Sequence, residues 1–288
     1  MSAPLESLCR RTKELELLGP RVRALRWMAA GRPSSLGSFL VGADRWRAPA
    51  VNVTLDVFSA LIDSRTGACP IFDRIAAREH WPLGGEALYA AWDREHKRLQ
   101  LECRRWQPFA VLGREALEDV LEKHHLAGDV SLAMAELWAS VGDWPLWPDV
   151  ERGVHGLVRE HRVGVLTNVD DELLARTRVA GLPLTAELVI TSERLRLYKP
   201  DAAVYHAART IAGPSFLHVA ASSRDVRGAL EAGIPCVRLV RPGHELDAAG
   251  PRPTRQIRGI DDLAAQLRPT RISATAVGNC DDRARHRH

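Results

Sequence analysis

With 288 residues, 45% of them hydrophobic and 26% charged, the chain can hold one large or two modest domains around a sizeable core, and its makeup excludes disordered and fibrous classes. The formal net charge of +4 sits at the ends: residues 1–50 hold nine Lys/Arg against four Asp/Glu, residues 269–288 hold four against two, and the stretch between carries −3. No basic surface for nucleic acid is therefore expected on the globular part, and no apolar run approaches the ~20 residues of a membrane span.

Residues 1–49 read as a basic N-terminal extension, poorly ordered or loosely docked, with Gly31-Arg32-Pro33-Ser34-Ser35 as a linker. Val51, Val53, Leu55 and Val57 then form a β-favouring run that delivers one carboxylate, Asp56, among apolar neighbours. Helical periodicity follows: Glu86–Trp106 aligns Leu88, Trp92, Leu99 and Cys103, Phe109–Leu126 aligns Leu112, Leu117 and Leu121, and Ser131–Val141 continues it.

Beyond Trp144-Pro145 the periods alternate. Helices are expected at Pro148–His161, Asp170–Val179, Asp201–Ile211, Asp225–Ala232 and Asp261–Leu267, and strands at Val163–Asn168, Glu187–Thr191, Phe216–Ala221 and Cys236–Val240. Such alternation predicts an α/β fold, a doubly wound parallel sheet with its site at the C-terminal ends of the strands. At those ends lie Asp56, Thr167-Asn168, Lys199 just before a helix, and Ser222 to Asp225. Residues 269–288 read as a disordered tail. The five cysteines are scattered without a Cys-x-x-Cys pair, which fits reduced thiols in a cytoplasmic protein.

These four stretches, with Asp56-Val57-Phe58, Tyr198-Lys199-Pro200-Asp201, Val204-Tyr205 and Val219-Ala220-Ala221, resemble the motifs of the haloacid dehalogenase-like (HAD) hydrolase superfamily, and within it the L-2-haloacid dehalogenase branch. The resemblance runs in the family's order over about Val51–Leu267. It implies a Rossmann-like core at 50–66 and 146–268, and a helical cap inserted at 67–145. It also implies catalysis through an aspartyl ester: Asp56 as nucleophile, Thr167 holding an anionic substrate, Lys199 keeping Asp56 ionised, and Asp225 balancing Lys199 and activating the hydrolytic water. Phe58, Asn168, Phe109 and Ser222 fall at substrate-binding positions, and Tyr205 matches a tyrosine that orients the nucleophile. A small-molecule substrate is implied, with no cofactor; a homodimer is left open.

Departures from the pattern matter. Superfamily phosphatases carry a second Asp where Phe58 stands and Gly-Asp, a magnesium ligand, where Ala220-Ala221 stand. Halide leaves without protonation, so the missing acid favours dehalogenation. Ser59-Ala60 replaces the family's Gly-Thr, and Ser59 is not an obvious substitute for the lost hydroxyl beside the nucleophile. Asp93 stands where a halide-binding arginine follows the cap tryptophan, and Ser222 and Arg224 replace Asn and Trp. A magnesium-dependent phosphatase and a non-catalytic binding protein are the alternative readings.

Overall fold

The computed structural model describes residues 50–267; the expectations for 1–49 and 269–288 concern residues outside that range. Six strands, β1 (Asn52–Leu55), β2 (Arg162–Thr167), β3 (Val189–Thr191), β4 (Phe216–Ala220), β5 (Cys236–Leu239) and β6 (Arg255–Ile257), form one sheet in the order β3-β2-β1-β4-β5-β6. Every pairing is parallel. Helices cover both faces of such a sheet, so its strands must be apolar throughout. Val53, Leu55, Val163, Val165 and Val219 are accordingly fully buried.

Two buried polar residues break that rule together. Thr54 and His218 stand opposite each other in the β1–β4 register, and Thr54 Oγ1 lies 3.0 Å from His218 Nδ1. Each satisfies the other, as buried polar groups must. Gly164 in β2 is there for space: a Cβ would come within 2.2 Å of the Leu188 carbonyl oxygen.

From the central β1 the chain winds outward through β2 and β3, then crosses back to β4, β5 and β6. The order reverses between β1 and β4, and the crevice outside their C-terminal ends is where open α/β sheets bind ligands. Asp56 follows β1 directly, and its N–H donates to Val219 O at 2.9 Å.

After β1 and its turn comes a block of four helices that ends before Pro145, α1 (Ser64–Glu79), α2 (Gly85–Glu102), α3 (Phe109–Lys123) and α4 (Val130–Ala139). Phe72, Ile75, Leu88, Leu112, Leu117 and Leu137 bury their shared core. The two chain segments joining this insertion to the sheet run side by side: Ile62 bridges Leu146 antiparallel, Asp63 N–H donates to Pro145 O, and Trp147 N–H donates to Leu61 O. The helical block is thus held over the sheet by a narrow neck beside Asp56.

The core continues with α5 (Val150–Leu157), α6 (Asp171–Arg176), α7 (Ser192–Leu195), α8 (Ala202–Ala212), α9 (Ser223–Glu231) and α10 (Ile260–Leu267). Most expected elements are present within a few residues. Helix α1 has no counterpart among the named segments, because Gly67 and Pro70 lie inside it and read as breakers. It is started by Asp63, whose carboxylate accepts from Thr66 N–H at 3.2 Å. Strand β6 also went unread, since Arg255-Gln256-Ile257 offers one apolar residue.

Candidate active site

The turn after β1 fixes the nucleophile candidate. Val57 O accepts from the N–H groups of Leu61 and Ile62, which closes the turn tightly. Its outer carbonyls are gripped from behind: Trp147 Nε1 donates to Ser59 O at 3.2 Å, and Arg241 donates Nε and Nη2 to Ala60 O at 3.0 and 2.8 Å. Arg241 is itself paired with Asp149 at 2.6 Å. So held, Ser59 turns its hydroxyl onto Asp56 and donates to Oδ2 at 2.7 Å. This corrects the reading of Ser59 from the sequence: it does supply a hydroxyl to the carboxylate, from one residue earlier than the threonine of the pattern.

Lys199 sits on the other oxygen. Its ammonium donates to Asp56 Oδ1 at 2.7 Å, Leu166 O at 2.7 Å and Asp225 Oδ2 at 2.5 Å, which uses all three of its protons. Burial alone would lower the lysine's pKa, but Asp225 and then Asp56 outweigh it and hold the ammonium charged above its ordinary value. Asp225 answers in kind. Burial would raise its pKa, yet Lys199 and then His218 reverse this and keep the carboxyl far below the usual carboxylate range.

Both Asp225 oxygens are occupied. Tyr205 donates its hydroxyl to Oδ1 at 2.8 Å, and His218 Nε2 lies 3.2 Å from each oxygen. The network assigns the Nε2 proton to the carboxylate and leaves Nδ1 to accept from Thr54. Tyr205 is fully buried behind Asp225 and does not line the cavity, so it orients Asp225 rather than Asp56 or a substrate.

In front of this cluster lies a cavity of about 100 Å³, small beside the ~300–1,000 Å³ of drug-sized sites. Asp56, Phe58, Phe109, Thr167, Asn168, Lys199, Ser222 and Asp225 all line it, so the fold gathers every residue expected there except Tyr205. The Phe58 ring stacks on Phe109 at 5.8 Å, with planes 4° apart, and meets the edge of Trp144 at 6.1 Å. Trp92, His96 and Trp138 extend this aromatic wall from α2 and α4. His96 donates Nε2–H to Phe109 O at 3.1 Å, and burial pushes its pKa down to about 3.

One polar atom facing the cavity stands apart. Thr167 Oγ1, at the end of β2, is buried and has no hydrogen-bond partner. Beside it Asn168 is pinned: its Oδ1 accepts from Lys199 N–H, and its Nδ2 donates to Lys199 O and to Gln100 Oε1 on α2. Arg224, from α9, donates to Lys97 O at 2.9 Å and to Gln100 Oε1 at 2.8 Å. Asp170 in turn accepts from the first N–H groups of α3, Phe109 and Ala110. Three core residues thereby hold the helical block closed over Asp56.

The sequence reading missed His218, Gln100, Trp138 and Trp144, and met Arg224 only as a departure from a pattern. A histidine inside the apolar run Phe216-Leu217-His218-Val219-Ala220 was the available signal, since such a strand needs a polar partner to justify it.

No protein-family model matches the chain. It is 24% identical over 216 residues to (S)-2-haloacid dehalogenase 4A of Burkholderia cepacia, which covers 72% of this chain and 90% of that protein. Among solved structures, the defluorinating L-2-haloacid dehalogenase Rha0230 superposes with a TM-score of 0.67 at 25% identity, covering 78% of this chain and 99% of that one. The L-2-haloacid dehalogenase of Xanthobacter autotrophicus with chloropropionic acid covalently bound gives a TM-score of 0.64 at 20% identity, covering 77% and 99%. With the sheet order, the helical block at β1 and the four motif positions around one cavity, the chain is similar in sequence and in fold to the L-2-haloacid dehalogenases of the HAD superfamily.

Proposed function

We propose that the protein is a hydrolase that removes halide from a small 2-haloacid through an ester of Asp56. The observation that carries this reading is the unpartnered, buried hydroxyl of Thr167 in the small cavity in front of Asp56. An orphan donor in an otherwise paired site is a place prepared for an acceptor, and the substrate's carboxylate is that acceptor.

The chemistry follows from the charges. A carboxylate oxygen of Asp56 attacks the carbon bearing the halogen, a C–O bond forms, and the carbon–halogen bond breaks with its electron pair leaving on the halide. Water then adds to the carboxyl carbon of the ester, which frees the 2-hydroxy acid, regenerates Asp56 and releases one proton. Lys199 and Ser59 hold the two oxygens of Asp56 in place for attack. We assign Asp225 to fixing Lys199 rather than to taking a proton from water, because Lys199, Tyr205 and His218 already fill both of its oxygens. The aromatic wall of Phe58, Phe109 and Trp144 keeps bulk water from the reacting carbon.

In this reading residues 67–145 act as the cap over a core of 50–66 and 146–268, and no cofactor takes part. The donor set supports the second point. A magnesium ion wants free carboxylate oxygens, whereas the Lys199 ammonium bridges Asp56 and Asp225. The position of a phosphatase's general acid is filled by the Phe58 ring, stacked on Phe109. A cytoplasmic setting fits the free thiols of Cys69, Cys103 and Cys236, and among the described residues no helix is long and apolar enough to cross a membrane. The test is halide release from 2-chloropropionate by purified protein in the presence of EDTA. Asp56→Asn should remove it by about 10⁴-fold or more with the fold intact. A magnesium-dependent rate on p-nitrophenyl phosphate above any dehalogenase rate would replace this reading with a phosphatase.

A further inference from the structure

The cavity walls carry three strong bases, Lys97, Lys199 and Arg224. Lys199 is shared between Asp56 and Asp225, and Lys97 is paired with Asp93 at 2.6 Å. Arg224 is different. Its two hydrogen bonds go to neutral acceptors, the Lys97 carbonyl and the Gln100 side chain, and among the described residues it has no carboxylate in ion-pair range. It is half-buried, so water screens its charge only in part. Two of the five N–H donors of its guanidinium are engaged by these bonds, and Arg224 lines the cavity.

The proposed reaction has a charge with the same need. As Asp56 is alkylated, its negative charge moves to the leaving halide, away from Lys199, the cation that Asp56 touches. A fixed cation ahead of that charge stabilises the transition state more than the ground state. We propose that Arg224 receives the departing halide, an anion subsite supplied by core helix α9 and steadied by its two bonds to α2. The inference rests on the dehalogenase reading for its role in turnover, but the anion site itself is open to test without turnover. The same two bonds tie the halide's receptor to the helical block, so a halide held by Arg224 is held under a closed cap.

The experiment uses sodium bromide and sodium propionate as separate probes, titrated calorimetrically into wild-type protein, Arg224→Met and Arg224→Lys. Bromide binding should weaken about tenfold or more in Arg224→Met, as expected for loss of a desolvated charge partner, and should be largely restored in Arg224→Lys. Propionate, which offers only the carboxylate, should bind all three alike. In turnover, Arg224→Met should slow 2-chloropropionate more than 2-iodopropionate, because the poorer leaving group depends more on a cation. Unchanged bromide binding in Arg224→Met overturns the inference, and so does equal loss of bromide and propionate that Arg224→Lys fails to restore, since Arg224 would then hold the cap rather than an anion. If bromide binds through Arg224 but no haloacid is turned over, the subsite stands and the dehalogenase reading falls. If haloacids are turned over and Arg224→Met changes neither bromide binding nor the ratio of the chloride and iodide rates, the reading stands and the subsite falls.

Discussion

The floor and the roof of the cavity are built on opposite principles. The floor, at the ends of β1, β2 and β4, is a buried polar network in which Asp56, Ser59, Lys199, Asp225, Tyr205, His218 and Thr54 each find partners. The roof is aromatic: Phe109 and Trp92 pack their rings against His96, a histidine kept neutral by burial, and Trp138 packs on both of those rings. A paired network holds the Asp56 carboxylate in one orientation, whereas an aromatic surface sets the size and dryness of the space in front of it. Orientation and selection are thus assigned to different segments of the chain, and each can be broken separately.

Lys199→Met should have the largest effect. It leaves Asp56 and Asp225 buried with no cation between them, and removal of one partner from such a cluster costs about 3–5 kcal/mol. Urea denaturation should show a loss of that order together with loss of activity. Near-normal stability would mean that the floor does not depend on its central charge.

The roof gives the next effect, through pH. The His96 pKa is depressed to about 3, below the ~6.5 of an unfolded histidine. The unfolded chain therefore takes up a proton that the folded chain refuses, and stability falls as pH drops from about 6.5 toward 3. At pH 5 the loss relative to pH 7 is about 2 kcal/mol from this group. His96→Gln should flatten that acid limb, as read by urea midpoints at the two pH values. Asp225 acts later and in the same direction: its depressed pKa gives stability that is present above the ordinary carboxylate range and lost as pH falls below it.

Ser59→Ala should give the smallest change, a fall in kcat of about tenfold with KM and stability nearly unchanged, for loss of one charge-assisted hydrogen bond to Asp56. No change in kcat would show that Lys199 alone orients the nucleophile.

The contrast also explains what the sequence could and could not reveal. Apolar strands leading into Asp56, Thr167 and the helix turn that carries Asp225 were legible because period and chemistry coincide there, and so was the helical block, whose periodicity is strong from Glu86 onward. The links between them were not. The Thr54–His218 pair depends on the β1–β4 register, and the bonds of Gln100 to Asn168 and Arg224 join positions 68 and 124 residues apart. Ser59 was misjudged for a local reason. Its hydroxyl meets Asp56 from a turn whose carbonyls are bonded by Trp147 and Arg241 from distant parts of the chain.

The central claim is that Asp56 bonds to the substrate. A single turnover of 2-chloropropionate in H₂¹⁸O, with enzyme in excess, tests it by mass spectrometry of the Asp56 peptide and of the product. Attack of water on the ester's carboxyl carbon should place the first ¹⁸O in Asp56 and leave the first 2-hydroxy acid unlabelled. Label appearing in the product, with none in Asp56, would show direct attack by water and contradict the account.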